Sequence, residues 1–329
     1  MLSIGPNLIL KYYFYLCILQ MATLTNTINT YTIPFQYNAF DSENNLFVLG
    51  MNGSQTIVNS FTSTGTGNVN NPIISSSYTK FGLAIDSSDN LLLVGNTGGY
   101  FFVNSYSSTG APNQHNPIIR GQNQLYMIPY TNAIAIDNSN NILLLGQSPL
   151  SQASVVNSYT STGTPNQNNP IISTIQSFNS MSIDRNNNIL LMISSPSGCV
   201  VNSYTSTGSP NQNTPIISIS STSKYAVDIA TDSNNNIFVS SLTGSPFSEN
   251  YLSTVCSYTS TGMPEPNNPI ITRSQQLLLG MAIKDNSLWI GDLITGIDYQ
   301  YTLDNPSCFN EGTQILSLTK NFQEKYVPI

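Results

Sequence analysis

Proton chemistry in this 329-residue chain must come almost entirely from carboxylates, because His115 is its only histidine. No Ser–His–acid set can be assembled around that one imidazole, and a His-based metal site lacks its ligands. Carboxylate-only hydrolysis needs two Asp or Glu facing each other across a substrate. Asp228 and Glu249 are the residues the sequence leaves open for such a pair. No Gly-rich phosphate loop opens a helix, so nucleotide chemistry has no foothold. No catalytic set is assigned from these residues.

A second group of oxygens invites a metal. Asp137, Ser139 and Asn141 alternate along one turn, as do Asp184, Asn186 and Asn188, and again Asp232, Asn234 and Asn236. A calcium loop would add a central Gly and a bidentate Glu at its twelfth position, and both are missing. One carboxylate per turn is thin ligation for a doubly charged ion. The expectation is that each Asp accepts backbone N–H groups two residues on, closing an Asx-type hairpin turn. No metal and no cofactor are expected.

Charge narrows the partners. Nine Lys or Arg stand against sixteen Asp or Glu, a net charge of −7, whereas phosphate binding needs clustered cations. Nucleic acid is therefore not expected. Solubility rests on amides and hydroxyls, with 42 Asn in the chain, while 40% hydrophobic residues suffice for a core. The run Tyr12–Leu19 is too short for a bilayer span of ~20 apolar residues. Residues 1–20 read as an apolar extension, signal-like or dispensable, and no integral membrane span is expected.

The elements that must carry these residues come from an internal repeat. Val-Asn-Ser-aromatic begins at Val58, Val103, Val156 and Val201, with a variant at Val255, at intervals of 45, 53, 45 and 54 residues. Twelve residues after each Asn (Cys256 in the last copy) comes Asn-Pro-Ile-Ile, with Thr214 replacing its Asn once. Between these, Ala-Ile-Asp or a variant places Asp at 41, 86, 137, 184 and 232, and a degenerate sixth copy runs from Ala282 to Gly291. Short apolar or alternating runs bounded by Asn, Gly and Pro predict four strands per unit. A period of ~45–50 residues with four strands is one blade of a β-propeller. The fold expected is all-β: a six-bladed β-propeller of four-stranded blades over residues 21–305, with seven blades as the alternative. Five complete copies and one partial copy leave the last blade short of a strand. Thr27–Ile33 is expected to supply it beside 296–304 and so remove a free edge.

Ala84-Ile85-Asp86-Ser87-Ser88-Asp89-Asn90-Leu91 resembles the NHL or SBBP-type propeller repeat, with Ser, Asn or Asp in place of the usual Gly. That resemblance implies architecture and says little of function, since propellers host enzymes, receptors and scaffolds alike. Cys308-Phe309-Asn310-Glu311-Gly312-Thr313-Gln314-Ile315 is similar to the opening block of Hint domains, the autoprocessing module of inteins and hedgehog proteins. Residues 306–329 would then be a Hint-like fragment or tail, with Cys308 and Thr313 its remnant of the catalytic pattern and no His block to complete it. The Asn-rich, low-charge style resembles proteins of large DNA viruses of amoebae.

Four further expectations follow from the strand reading. The mid-strand amides Asn59, Asn104, Asn157 and Asn202 share a face with the aromatic two residues on and should bridge blades as a ring. Cys199 and Cys256 lie three positions apart in the repeat frame, so alternation aims them at opposite blade faces, and they should stay reduced and apart. Amide-rich loops at 112–117, 165–170 and 210–215 offer groups for glycan hydroxyls, against the plainer reading of hairpin loops. The links between blades and the second-to-third-strand loops diverge, and carry Tyr78, Phe81, Tyr126, Tyr130, Phe178 and Tyr225 as ligand-binding candidates. The function expected is a non-enzymatic interaction or structural module binding a protein or glycan through that face, exported or part of a virus particle. A propeller portion of a truncated Hint precursor is the alternative, and a propeller hydrolase or lyase the third.

Overall fold

The computed structural model describes residues 22–29 and 37–303, apart from 53–54, 78–79, 98–99, 122–132, 149–152, 196–197, 221–223, 245–250, 267, 286 and 293–296. Among the described residues every regular element is a strand, and the strands form six four-stranded antiparallel sheets.

Turn chemistry builds each sheet. At the first hairpin of the third blade, Asp137 Oδ1 accepts the N–H of Ser139 at 2.9 Å and of Asn141 at 2.7 Å. The Asn141 side-chain amide donates to Asp137 Oδ2 at 2.9 Å. Asn140 between them takes φ of 62°, a left-handed conformation that Asn tolerates. The same bonds recur at Asp41, Asp86 and Asp232. Both carboxylate oxygens thus accept N–H donors within the turn, which is the Asx turn expected.

The second recurring turn explains the fixed Asn-Pro spacing. Asn169 Oδ1 accepts the Ser158 N–H at 2.7 Å, and its Nδ2 donates to the Ser158 carbonyl at 2.6 Å. A side-chain amide thereby completes the strand edge like another peptide. Asn71, Asn116 and Asn268 do the same to Ser60, Ser105 and Ser257. Thr214 manages both bonds to Ser203 with one hydroxyl, at 3.0 and 2.7 Å. The peptide before the proline is cis in all five copies. Gly163 in this turn has φ of 86°, and a Cβ there would run into the Ile118 carbonyl of the preceding blade. Only glycine meets both demands.

Blade 1 comprises β2 (Tyr37–Phe40), β3 (Leu46–Asn52), β4 (Gln55–Phe61) and β5 (Ile74–Ser76), running outward from the ring centre. Blade 2 is β6 (Lys80–Ile85), β7 (Leu91–Thr97), β8 (Tyr100–Tyr106) and β9 (Ile119–Gly121). Blade 3 is β10 (Ile134–Ile136), β11 (Ile142–Gln147), β12 (Ser154–Tyr159) and β13 (Ile172–Thr174). Blade 4 is β14 (Phe178–Ile183), β15 (Ile189–Ser195), β16 (Gly198–Tyr204) and β17 (Ile217–Ser220). Blade 5 is β18 (Lys224–Thr231), β19 (Ile237–Thr243), β20 (Leu252–Tyr258) and β21 (Ile271–Ser274). Blade 6 has β22 (Leu278–Lys284), β23 (Ser287–Asp292) and β24 (Ile297–Leu303), and takes its outermost strand from β1 (Ala22–Asn29).

An amino-terminal strand therefore closes the ring, but it begins at Ala22, five residues before the expected start at Thr27, and residues 30–33 lie outside the described residues. Ala22 pairs Leu303 and Asn29 pairs Ile297, with a register shift between Leu24 and Asn26. The Thr/Asn alternation of 22–33 holds few apolar side chains, so the sequence gives the register no anchor.

Six hydrophobic clusters fill the seams between neighbouring blades. A buried Leu or Ile in such a seam contributes about 1.5–3 kcal/mol relative to exposure. The cluster between blades 6 and 1 is the smallest, built of Leu46, Val48, Phe61 and Trp289 with Phe40 against it. Cys199 and Cys256 are both buried in the cluster between blades 4 and 5. No disulfide joins them, as expected, although opposite faces of neighbouring blades meet in this one seam. The amide ring is also corrected: Asn104 donates to Tyr106 on its own strand at 3.2 Å, and Asn157 and Asn202 bond Tyr159 and Tyr204 likewise.

Candidate active site

The six inner strands surround a central channel of ≈ 320 Å³. Its waist is a ring of small residues, Ala39, Ala84, Ala135, Ser182, Ala230 and Ala282, one from each blade. Small side chains let six edge strands approach a common axis. At the end bearing the Asp turns, Lys284 replaces the turn aspartate of the other blades and donates to the Asp41 carbonyl at 3.3 Å.

The polar chemistry gathers at the other end. Asp228 on β18 is buried, at a register shift between Ala226 and Asp228 that turns its side chain toward the neighbouring inner strands. Its Oδ1 accepts the Ser180 hydroxyl of blade 4 at 2.6 Å and its own neighbour's N–H, Ile229, at 2.9 Å. Its Oδ2 accepts the Met281 N–H of blade 6 at 2.7 Å. One carboxyl thus ties the inner strands of three blades beside the channel lining residues Ile229 and Met281. Burial pushes its pKa up, against the opposing effect of the Ser180 hydroxyl and the backbone donors of Met281, Ile229 and Gly280. A carboxyl so placed keeps its proton closer to neutral pH than an ordinary aspartate, the property of a general acid or base.

A second buried carboxyl sits between blades 6 and 1. Asp298 on β24 accepts the Asn38 amide of β2 at 3.0 Å, and burial raises its pKa to about 7. Asn38 also lines the channel. Among the described residues no three His, Cys, Asp or Glu side chains lie close enough to hold a metal together.

The residues proposed from sequence are scattered. Phe178 is fully enclosed in the core between blades 3 and 4, where it caps the blade interior and cannot meet a ligand. Tyr225, at the start of β18, is 54% exposed. Phe81 lies on β6. Tyr78, Tyr126, Tyr130, Glu249, Cys308 and Thr313 lie outside the described residues. In the Pro-bounded loops, Asn113, Asn166 and Asn211 donate to Asn90, Asn141 and Asn188 and to nearby serines, at 2.8 to 3.2 Å. These three amides serve the turn, while Gln114, Gln167 and Gln212 beside them are exposed. Sequence reasoning missed Ser180, Asn38 and Asp298. A signal existed for the last, since the repeat frame places Val58, Val103, Val156, Val201 and Val255 where blade 6 has Asp298.

These blades and this channel define a six-bladed β-propeller with a buried carboxyl on its inner ring. Solved structures of similar shape include a gluconolactonase from Xanthomonas campestris, at 12% identity over 87% of this chain and 88% of that one, with a TM-score of 0.57. The PQQ-bound aldose sugar dehydrogenase of Streptomyces coelicolor has 13% identity over 85% and 97% of the two chains, with a TM-score of 0.55. Regucalcin of Agrobacterium tumefaciens, described as a calcium-binding protein, has 11% identity over 86% and 96%, with a TM-score of 0.54. At such identities the likeness carries the fold. No protein-family model matches the chain, and no curated protein sequence does. The NHL-type resemblance is consistent with these neighbours, whereas the Hint and viral resemblances find no support in them. The expectation of a non-enzymatic binding or structural module is corrected: the similar propellers include a gluconolactonase and a sugar dehydrogenase, which are enzymes. Among the described residues no helix is long and apolar enough to cross a membrane.

Proposed function

We propose that the chain is a propeller enzyme of the hydrolase or lyase kind, acting on a small polar cyclic ester such as a sugar lactone, with Asp228 as its acid–base group. The observation that carries this reading is the position of Asp228. It is a buried carboxyl of raised pKa, held by Ser180 and Met281 on the inner ring, beside the channel and toward the blade-linking loops. Protonated, it can deliver a proton to the ring oxygen that leaves when a lactone opens. Ionised, it can take a proton from the attacking water. Support for the lactone comes from the gluconolactonase of similar shape.

The test is lactone opening followed by acid release in weakly buffered indicator solution, with a panel of sugar lactones. Opening faster than the buffer alone is expected, with kcat reduced about 10²- to 10⁴-fold in Asp228→Asn. Circular dichroism of that variant should remain all-β. Rates equal to buffer across the panel, or an Asp228→Asn rate equal to the parent's, end the reading.

A further inference from the structure

We propose that Asn38 and Asp298 form a proton-binding site that latches the seam between blades 6 and 1. At the other five seams the corresponding positions are apolar. In each of them the valine of the third strand meets an apolar residue of the next blade's inner strand within one core. Val58 meets Leu83, Val103 meets Ile134, Val156 meets Met181, Val201 meets Ile229, and Val255 meets Met281. At the sixth seam both positions are polar at once. Asp298, with 0% exposure, stands for the valine and Asn38 for its apolar partner.

The exchange is matched but incomplete. Asn38 Nδ2 donates to Asp298 Oδ1 at 3.0 Å, while Asn38 Oδ1 and Asp298 Oδ2 are both buried with no hydrogen-bond partner. One unmatched acceptor on each of two bonded side chains leaves the pair short of a hydrogen, and a buried acceptor left unmatched is costly. A proton on Asp298 Oδ2 supplies it: a carboxylic acid and a primary amide complement each other as donor–acceptor pairs in both directions. A carboxylate at the same spot is a buried charge with one amide for company.

Asp292, buried on the adjacent strand, accepts the Leu277 N–H at 3.1 Å. On the elements packed around Asp298, the titratable side chains are Asp292 on β23, Tyr299 and Tyr301 on β24, Tyr37 on β2 and Lys284 on β22, with Asp41 closing β2. β1 and β3 carry none. Lys284 is turned to the Asp41 carbonyl at the opposite end of the channel. The causes of the raised Asp298 pKa are burial first, with the Asn38 amide opposing it, and neither is a charge.

The sign follows. Folding raises the pKa of Asp298 from 3.8 to about 7, so the folded ring holds a proton that the unfolded chain has released. Stability from this site is complete below the unfolded value, falls about tenfold in the folding constant per pH unit between the two, and is level above the folded value.

The experiment compares melting and denaturant unfolding of the full chain with Asn38→Leu/Asp298→Val, the pair that restores the pattern of the other seams, from about pH 5 to pH 8. The stability difference in favour of the double variant should widen as pH rises and flatten above about 7. Parallel curves overturn the proposal. Should the double variant not fold, infrared difference spectra of the parent against Asp298→Asn decide: a protonated-carboxyl C=O band lost in the variant at weakly acid pH is expected, and its absence from the parent overturns the site. Restoration of the parent's stability at high pH by sodium or calcium chloride alone would assign the two oxygens to a metal cation and also overturn it.

Discussion

Blades 1 to 5 and blade 6 solve the same packing problem with different chemistry. In the first five, third and fourth strands are joined by one turn whose Asn or Thr side chain clamps the strand edge. In blade 6 the fourth strand arrives from the other end of the chain, and Lys284 stands where the turn aspartate would be. Among the described residues, the buried side-chain oxygens without partners are those of Asn38, Asn44, Ser240, Tyr251, Gln276 and Asp298, in or beside blades 5, 6 and 1. Asp228 also reaches blade 6, through the Met281 N–H. A repeated unit settles its hydrogen bonds once and copies the answer. Where the copy stops, polar groups are left with chemistry still to do.

The largest test of that contrast removes the borrowed strand. Truncation of residues 1–29 should cost on the order of 5 kcal/mol, at about 0.5–1.5 per lost ladder bond, whereas removal of 1–20 should leave the melting temperature unchanged. Equal melting temperatures would mean that β1 does not close the ring. Within the regular blades, Gly163→Ala meets both an unfavourable φ and the Ile118 carbonyl. Denaturant unfolding should show a loss of about 2–4 kcal/mol, in the range of backbone strain plus overpacking.

A smaller effect separates clamp from sequence. Asn169→Ala breaks two bonds to Ser158 and should cost about 1–3 kcal/mol, while Asn169→Thr should recover most of it because Thr214 already performs this role in blade 4. Equal losses for the two substitutions would show that the clamp depends on the amide shape. The smallest effect is at the seam of blades 1 and 2. The Ser42 hydroxyl, then its N–H, lowers the pKa of Asp89. Stability from this contact is present above the unfolded value of 3.8 and is lost as pH falls through the depressed folded value. In Ser42→Ala the Asp89 carboxyl, followed by NMR, should titrate closer to an ordinary aspartate, and the acid limb of the stability curve should shift slightly up in pH.

Much of this ring could be read from the chain because its information is local and repeated. Asp137 with Asn141 announces a turn, and Val156 with Ile172 announces two strands, whatever the rest of the protein does. Blade number followed from counting phrases. The position of β1 did not, because Thr and Asn on both faces leave its register undetermined. The Asn-Pro spacing was visible, but spacing does not reveal that Asn169 bonds the backbone of Ser158. Asp228 could be named as a candidate, yet its bond to Ser180 links residues 48 apart, and Asn38 and Asp298 are separated by 260. Pairs of that kind have no local signature. They become legible only as departures from the repeat, when a carboxylate occupies a place that five valines hold elsewhere.

The turns on the regular end carry a consequence of another sort. The residue after four of the five turn aspartates donates its N–H to the left-handed residue of the next blade: Ser42 to Asp89, Ser87 to Asn140, Asn138 to Asn187, and Arg185 to Asn235. Every blade from the first to the fifth therefore presents one half of a standard coupling to its predecessor or successor. Units with identical couplings can be duplicated, excised or shuffled without redesigning what they join. Gene duplication could lengthen such a ring one blade at a time, and an engineer could exchange blades 2 and 3 as whole cassettes, leaving the sixth as the part made to measure.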